Sequence, residues 1–341
     1  MKRLLILATL VAVAGADDDL ASREEAAWRN AVAAVADSVV QIRLVGGLET
    51  VDKVLVSQGP TTGLFVSADG YIVSSAYPFA QRPSSILVML PGGDRLPARL
   101  VATNHSRKFV LLKVDPPAPL PAIPNPDFFG ETGFRDVHPG QWAIAVGRTM
   151  QPDVVNTSVG VISAVGRKQG RALQTDAKVS PASYGGPLVD VRGRVLGVLV
   201  PISPEGESEV AGASFYDSGI AFAVPMAQIF AALPRLRAGE DLYRGLLGVS
   251  FPKGASYRQP PRVDTVHPGS PADGAGIQPE DLILAVDGRA VATVANLRTA
   301  LGPRYAGDRV EIKLRRGEEE LAMTAQLVAK LPPLEKESPD P

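Results

Sequence analysis

Between Val39 and Val114 the chain consists of short apolar runs cut by turns: VVQIRLV, GLFVS, YIVSS, ILVML, RLVAT and FVLLKV. Runs of this length, rich in β-branched and aromatic residues and bounded by Gly, Asp, Ser and Pro, read as strands. Their spacing fits an all-β barrel, which closes its sheet and leaves no free edge. The 33 glycines and 30 prolines, spread through the chain, supply the many turns such a fold needs.

At 341 residues the chain has room for two or three domains, each large enough to bury a core. A net charge of −1 and the lack of any Lys/Arg-rich stripe argue against a nucleic-acid partner. There is no cysteine, which excludes disulfides, thiolate metal ligands and a cysteine nucleophile. No histidine pair has metal-ligand spacing, and no nucleotide-binding glycine loop is present, so no cofactor and no metal are expected.

Residues 1–16, MKRLLILATLVAVAGA, have the order of a signal peptide: Lys2 and Arg3, an apolar stretch from Leu4 to Val13, and small residues at the end. The apolar stretch is about half the ~20 residues a membrane span needs. Export to the periplasm or the medium is expected, with cleavage after about Ala16 and no membrane span in the mature chain. Residues 17–38 then form an N-terminal helical segment. Trp28, Val32 and Val35 fall on one side of a helix over Ala21–Ser38, and the acidic run Asp17–Asp19 suits its N-terminus.

Three segments carry a resemblance. QTDAKVSPASYGGPLV (174–189), TTGLFVSADGYIVSSAYPF (61–79) and KFVLLKV (108–114) resemble the serine, histidine and aspartate segments of the HtrA/Deg family of trypsin-like proteases. The resemblance covers roughly residues 39–230 and implies two six-stranded antiparallel β-barrels. The second barrel would run through WAIAVG, VNTSVGVISAVG, ALQTDA, GPLVDVRGRVLGVLV and GIAFAV. The proline-rich run Asp115–Asp127, which alone reads as a domain linker, becomes the connection between barrels. The double-barrel domain is expected over 39–238.

At the three places where the family keeps its triad this sequence has Tyr77, Lys108 and Tyr184. A serine hydroxyl is activated by an imidazole that a carboxylate orients. Losing nucleophile or base in a serine protease costs ~10⁶ in turnover. On this ground the chain is expected not to be an enzyme. The rings of Tyr77 and Tyr184 are expected to meet across the cleft. An alternative is a working endopeptidase with displaced residues, such as Ser183 with His105. Another is a holdase-type chaperone, which would need a large exposed apolar patch.

Residues 243–330 resemble a PDZ domain of the bacterial HtrA type, most specifically in VHPGSPADGAGIQPEDLILAVDG (266–288). The overall expectation is a mostly β chain: a trypsin-like double β-barrel followed by a C-terminal α+β PDZ domain. In such domains an extended peptide adds as a strand and its terminal carboxylate meets backbone amides. The resemblance places Leu246, Leu247, Gly248, Val249 and Phe251 at that groove, with the helix around Val294–Leu301 as its far wall. Residues 331–341 are expected to be a disordered tail.

The function implied is binding of protein C-termini or extended peptides, as a scaffold, adaptor or regulator in protein quality control. The family also implies assembly as a homo-trimer through the N-terminal region, where Trp28 stands, or association with an active HtrA-type protease.

Overall fold

The computed structural model describes residues 2–48, 50–51, 54–55, 59–123, 134–202, 218–252 and 258–333, with side chains from residue 19 onward except at 54 and 55. Helix α1 (Lys2–Ala36) leads into β1 (Val39–Val45) and a short hairpin, β2 (Thr50–Val51) and β3 (Val54–Leu55). Then come β4 (Thr61–Phe65), β5 (Tyr71–Ser75), β6 (Ser85–Met89), β7 (Arg95–Asn104) and β8 (Phe109–Val114). These close into a barrel in the order β1-β4-β5-β8-β7-β6. Apolar residues of these strands, among them Val40, Ile42, Phe65, Ile72, Val110 and Leu112, fill its interior.

The second barrel contains β9 (Trp142–Gly147), β10 (Asn156–Gly166), β11 (Ala172–Thr175), β12 (Pro187–Val189), β13 (Val195–Val200) and β14 (Ala221–Pro225). A four-residue turn, α2 (Arg167–Gly170), with Lys168 and Gln169 in the left-handed region, joins β10 to β11. The order is β10-β11-β14-β13-β12-β9, so this sheet is closed as well. Both six-stranded antiparallel barrels implied by the resemblance are present.

Helix α1 differs from the sequence expectation. It begins at Lys2 rather than near Ala21, so the acidic run Asp17–Asp19 lies inside it. The Leu- and Ala-rich start has high helix propensity, which carries the helix through. Its C-terminal end packs on the chain's own barrels, with Ala31 and Val35 buried in their core. Trp28 meets Trp142 edge to face at 5.4 Å. Arg148 fixes the exit, donating from Nη2 to the Ala36 carbonyl at 2.8 Å and from Nε to the Val39 carbonyl at 2.7 Å. Among the described residues no helix is long and apolar enough to cross a membrane.

Helix α3 (Met226–Arg237) leads out of the second barrel. The last region holds β15 (Val249–Ser250), β16 (Thr265–Val266), α4 (Pro271–Gly274), β17 (Leu282–Val286), β18 (Arg289–Ala290), α5 (Val294–Leu301), β19 (Arg309–Arg316) and β20 (Glu319–Gln326). β15 pairs with β16, and the larger sheet runs β18-β17-β19-β20. Its own core includes Leu247, Val263, Ile283, Leu297, Ile312 and Leu314.

This region docks on the barrels through a polar seam. Asn104 Nδ2 donates to the Tyr305 hydroxyl at 2.9 Å. The guanidinium of buried Arg107 sits over the Tyr305 ring, 4.6 Å from its centroid, and donates from Nε to Gln228 Oε1 at 3.0 Å. Arg235 covers the same ring at 5.4 Å. Alongside, α2 presses on the end of α5: a Cβ at Gly302 would fall 2.0 Å from the Gln169 carbonyl oxygen, so only glycine fits there.

Candidate functional site

Two turns meet where the two barrels join. Tyr77 opens a 3₁₀ turn, Tyr77–Gln81, directly after β5. Its amide donates to Ser75 Oγ at 3.2 Å, and the Ala76 amide donates to the Lys108 carbonyl at 2.9 Å. Lys108 is buried, with a left-handed backbone at φ 61°. The structure thus brings all three triad-place residues to one junction, with Lys108 supporting the Tyr77 turn through its main chain.

Tyr184 ends the second turn, Pro181–Ser183. Its carbonyl accepts from Thr61 Oγ1 at 2.9 Å and from the Thr62 amide at 3.4 Å, so β4 of the first barrel holds it. Thr62 Oγ1 in turn donates to the Ala182 carbonyl at 3.0 Å. Gly185 follows at φ +89°, where an added Cβ would lie 2.2 Å from the Thr62 carbonyl oxygen. Only glycine permits this close approach of the two barrels.

The Tyr77 and Tyr184 rings pack edge to face, with centroids 5.8 Å apart and planes at 78°. They are 4% and 3% exposed. Burial raises the Tyr184 phenol above its ordinary range, and the neighbouring Tyr77 adds to the effect. The amides of the turn are engaged within it: Ser183 donates to Ser180 O at 2.9 Å and Tyr184 to Pro181 O at 3.3 Å.

The pairing of Ser183 with His105 does not form. Ser183 Oγ accepts from Asn156 Nδ2 at 3.4 Å, whereas the His105 ring stacks on Tyr243 with centroids 4.5 Å apart. His138 is exposed in a turn, and His267 Nδ1 lies 3.0 Å from the Pro268 carbonyl. Among the described residues no group of three or more His, Cys, Asp or Glu could hold a metal ion.

A second candidate site lies elsewhere, between β15 and α5. It is an open groove of about 620 Å³, and Leu246, Leu247, Gly248, Val249 and Phe251 all line it. Across from them stand Leu297, Arg298 and Leu301 of α5. The loop before β15 is held from behind: the Leu247 carbonyl accepts from the Ala272 amide at 2.9 Å and the Gly248 carbonyl from the His267 amide at 2.8 Å. The amides of Leu247 and Gly248 donate to no described acceptor, which leaves two adjacent donors at the groove's end.

Sequence reasoning did not place Arg244, Thr265, Val266, His267, Pro268 or Leu331 at this groove. Leu297, Arg298 and Leu301 belong to the helix that the resemblance gave as the far wall. Leu331 was assigned to the tail, and nothing in its neighbourhood signals otherwise. The remainder of that tail, 334–341, lies outside the described residues.

Residues 61–198 match the model of the trypsin-like peptidase domain, and 245–327 match the PDZ domain. The chain is 32% identical over 270 residues to "Probable periplasmic serine endoprotease DegP-like" of Chlamydia trachomatis, covering 75% of this chain and 51% of that protein. It is 31% identical over 272 residues to the protein of the same name from Halomonas elongata, covering 75% and 54%. The chain therefore spans about half the length of the curated relatives it matches. Among solved structures, "HtrA-type protease AlgW with decapeptide" superimposes with a TM-score of 0.66 at 23% identity, covering 90% of this chain and 99% of that one.

These relatives correct the expectation that the chain is not an enzyme. The Chlamydia and Halomonas proteins are named probable serine endoproteases, and they point to a protease. The expectation weighed three side chains, Tyr77, Lys108 and Tyr184. The likeness extends over 270 residues of both domains.

Proposed function

The chain belongs to the HtrA/Deg family, and we propose that its PDZ groove captures the C-termini or extended ends of other proteins. The observation that carries this reading is the paired donors of Leu247 and Gly248 at the end of an apolar groove. Two adjacent amides form a concavity for an anion such as a terminal carboxylate. The edge of β15 offers a template on which an extended segment can add as a strand. The decapeptide complex of the AlgW neighbour supports a peptide ligand for this architecture.

The reading places the protein outside the cytoplasm, in protein quality control, where it acts as a scaffold, adaptor or regulator that holds client chain ends. Support for export comes from the signal-like residues 1–16 and from relatives named as periplasmic. The same reading keeps the boundaries at a segment removed after about Ala16, a double barrel to 238 and a PDZ domain from 243 to 330.

Fluorescence anisotropy tests the binding reading. A labelled decapeptide with an apolar last residue and a free carboxylate is titrated with the full chain, beside the same peptide amidated. Capture of the free form, with at least tenfold weaker binding of the amide, is expected from the loss of a charge-assisted contact worth about 1.5–3 kcal/mol. Equal binding of the two forms would overturn it.

A further inference from the structure

A segment of the chain itself lies at the amide end of the groove. Directly after β20 the chain pairs with the groove loop: the Leu246 amide donates to the Val328 carbonyl at 2.8 Å, and the Val328 amide to the Leu246 carbonyl at 3.2 Å. From there the segment runs on past the loop. Leu331 lines the groove, and a Cβ on Gly248 would lie 3.3 Å from its Cδ2. Pro332 stands at the next turn, where a Cβ on Gly269 would lie 3.3 Å from its Cγ. Beyond Val328 the hydrogen bonding stops: among the described residues none holds 329–333. Pro332 and Pro333 have no amide to donate.

We infer that residues 328–333 form a strap that closes the amide end of the groove with Leu331 and swings aside when a chain end binds. The inference rests on the reading of the groove as a binder of C-termini. The donors that reading needs are the amides of Leu247 and Gly248, and the Leu331 side chain stands beside Gly248. Leu331 is half-buried, so it rests on the groove by apolar contact, which an arriving ligand side chain can replace. The strap is built to move as a unit. Two hydrogen bonds fix it at Val328, Ala329 and Lys330 form a bend, and the two prolines keep the part beyond Leu331 stiff. A closed strap lowers the apparent affinity in proportion to the fraction of chains that are open. It thus sets a threshold for capture, and chain ends too weak or too dilute to displace Leu331 are refused.

Leu331→Ala in the full chain tests this beside the unaltered chain, each titrated with a labelled decapeptide that carries a free carboxylate. The variant should bind about fivefold more tightly, as for a strap closed about four-fifths of the time. Methyl NMR of the unaltered chain gives a second readout that stands even if the variant fails to fold. Cross-peaks between the Leu331 methyls and Gly248 should be present without peptide and vanish at saturation. Equal or weaker binding by Leu331→Ala, or cross-peaks that persist in the saturated chain, overturns the strap and leaves the groove reading intact. Failure of both chains to bind the peptide overturns both.

Discussion

The rings of Tyr77 and Tyr184 meet edge to face with centroids 5.8 Å apart. Tyr77 belongs to the first barrel's 3₁₀ turn and Tyr184 to the loop before β12, so this contact joins the two barrels. The Tyr184 carbonyl, held by Thr61 and Thr62, fixes the same junction from the main-chain side.

Truncating either ring opens a cavity where the barrels touch. Tyr184→Ala should lower unfolding stability by about 3–5 kcal/mol, the usual range for losing a buried aromatic. A double-mutant cycle with Tyr77→Ala should give a coupling of about 0.5–1.5 kcal/mol. Urea unfolding followed by tryptophan fluorescence measures both. Additive losses would mean that the rings do not support each other.

Tyr184 should also make the fold alkali-sensitive. Burial, then the nearby Tyr77, raises its phenol above the ordinary 10.0. A folded-state value above the unfolded one means that the stabilisation is complete below pH ~10 and is lost as pH rises beyond it. Tyr184→Phe should flatten the decline in unfolding stability between pH ~9.5 and ~11.5. An unchanged slope in that variant would assign the alkaline loss to other groups.

In the PDZ domain the sign is the opposite. Asp281 is buried, which alone would raise its carboxyl, yet hydrogen bonds from Arg316 and the Gln278 amide hold it below the usual carboxylate range. Arg316 donates from Nε to Oδ1 and from Nη2 to Oδ2, both at 2.8 Å. This contribution is present above pH ~4 and is lost as pH falls through the lowered folded-state value. Arg316→Ala should therefore move the acid-unfolding midpoint to higher pH, followed by far-UV circular dichroism. A midpoint that stays in place would show the pair to be dispensable.

The seam around Tyr305 should make barrels and PDZ domain unfold together. Asn104, Arg107 and Arg235 all converge on this one side chain. Tyr305→Phe removes one hydrogen bond and should cost about 1 kcal/mol. Tyr305→Ala removes the ring that both guanidinium groups cover, and calorimetry should then resolve two transitions where the unaltered chain gives one. A single transition in both would place the coupling elsewhere, for instance at the α2–α5 contact.

Much of this architecture was legible in the sequence. The turn-punctuated runs from Val39 to Val114 became strands of the first barrel, because length and bounding turns specify strands locally. The segments around Tyr77 and Tyr184 and the run from Val266 to Gly288 carried the family likeness, and the groove helix falls on Val294–Leu301. The start of α1 was misplaced because the Asp17–Asp19 run has the chemistry of a helix N-terminus even when it lies inside one. The seam was invisible: Asn104 and Tyr305 are 201 residues apart, and neither stands in a motif. Whether the chain is an enzyme was misjudged, because three side chains were set against a likeness spread over two domains.

Hydrogen exchange on the full chain, with and without a free-carboxylate decapeptide ending in an apolar residue, tests the central claim most directly. The account predicts slowed exchange at 245–251, above all at the Leu247 and Gly248 amides, together with 294–301. Bound peptide that leaves 245–251 unprotected while slowing exchange elsewhere would contradict it.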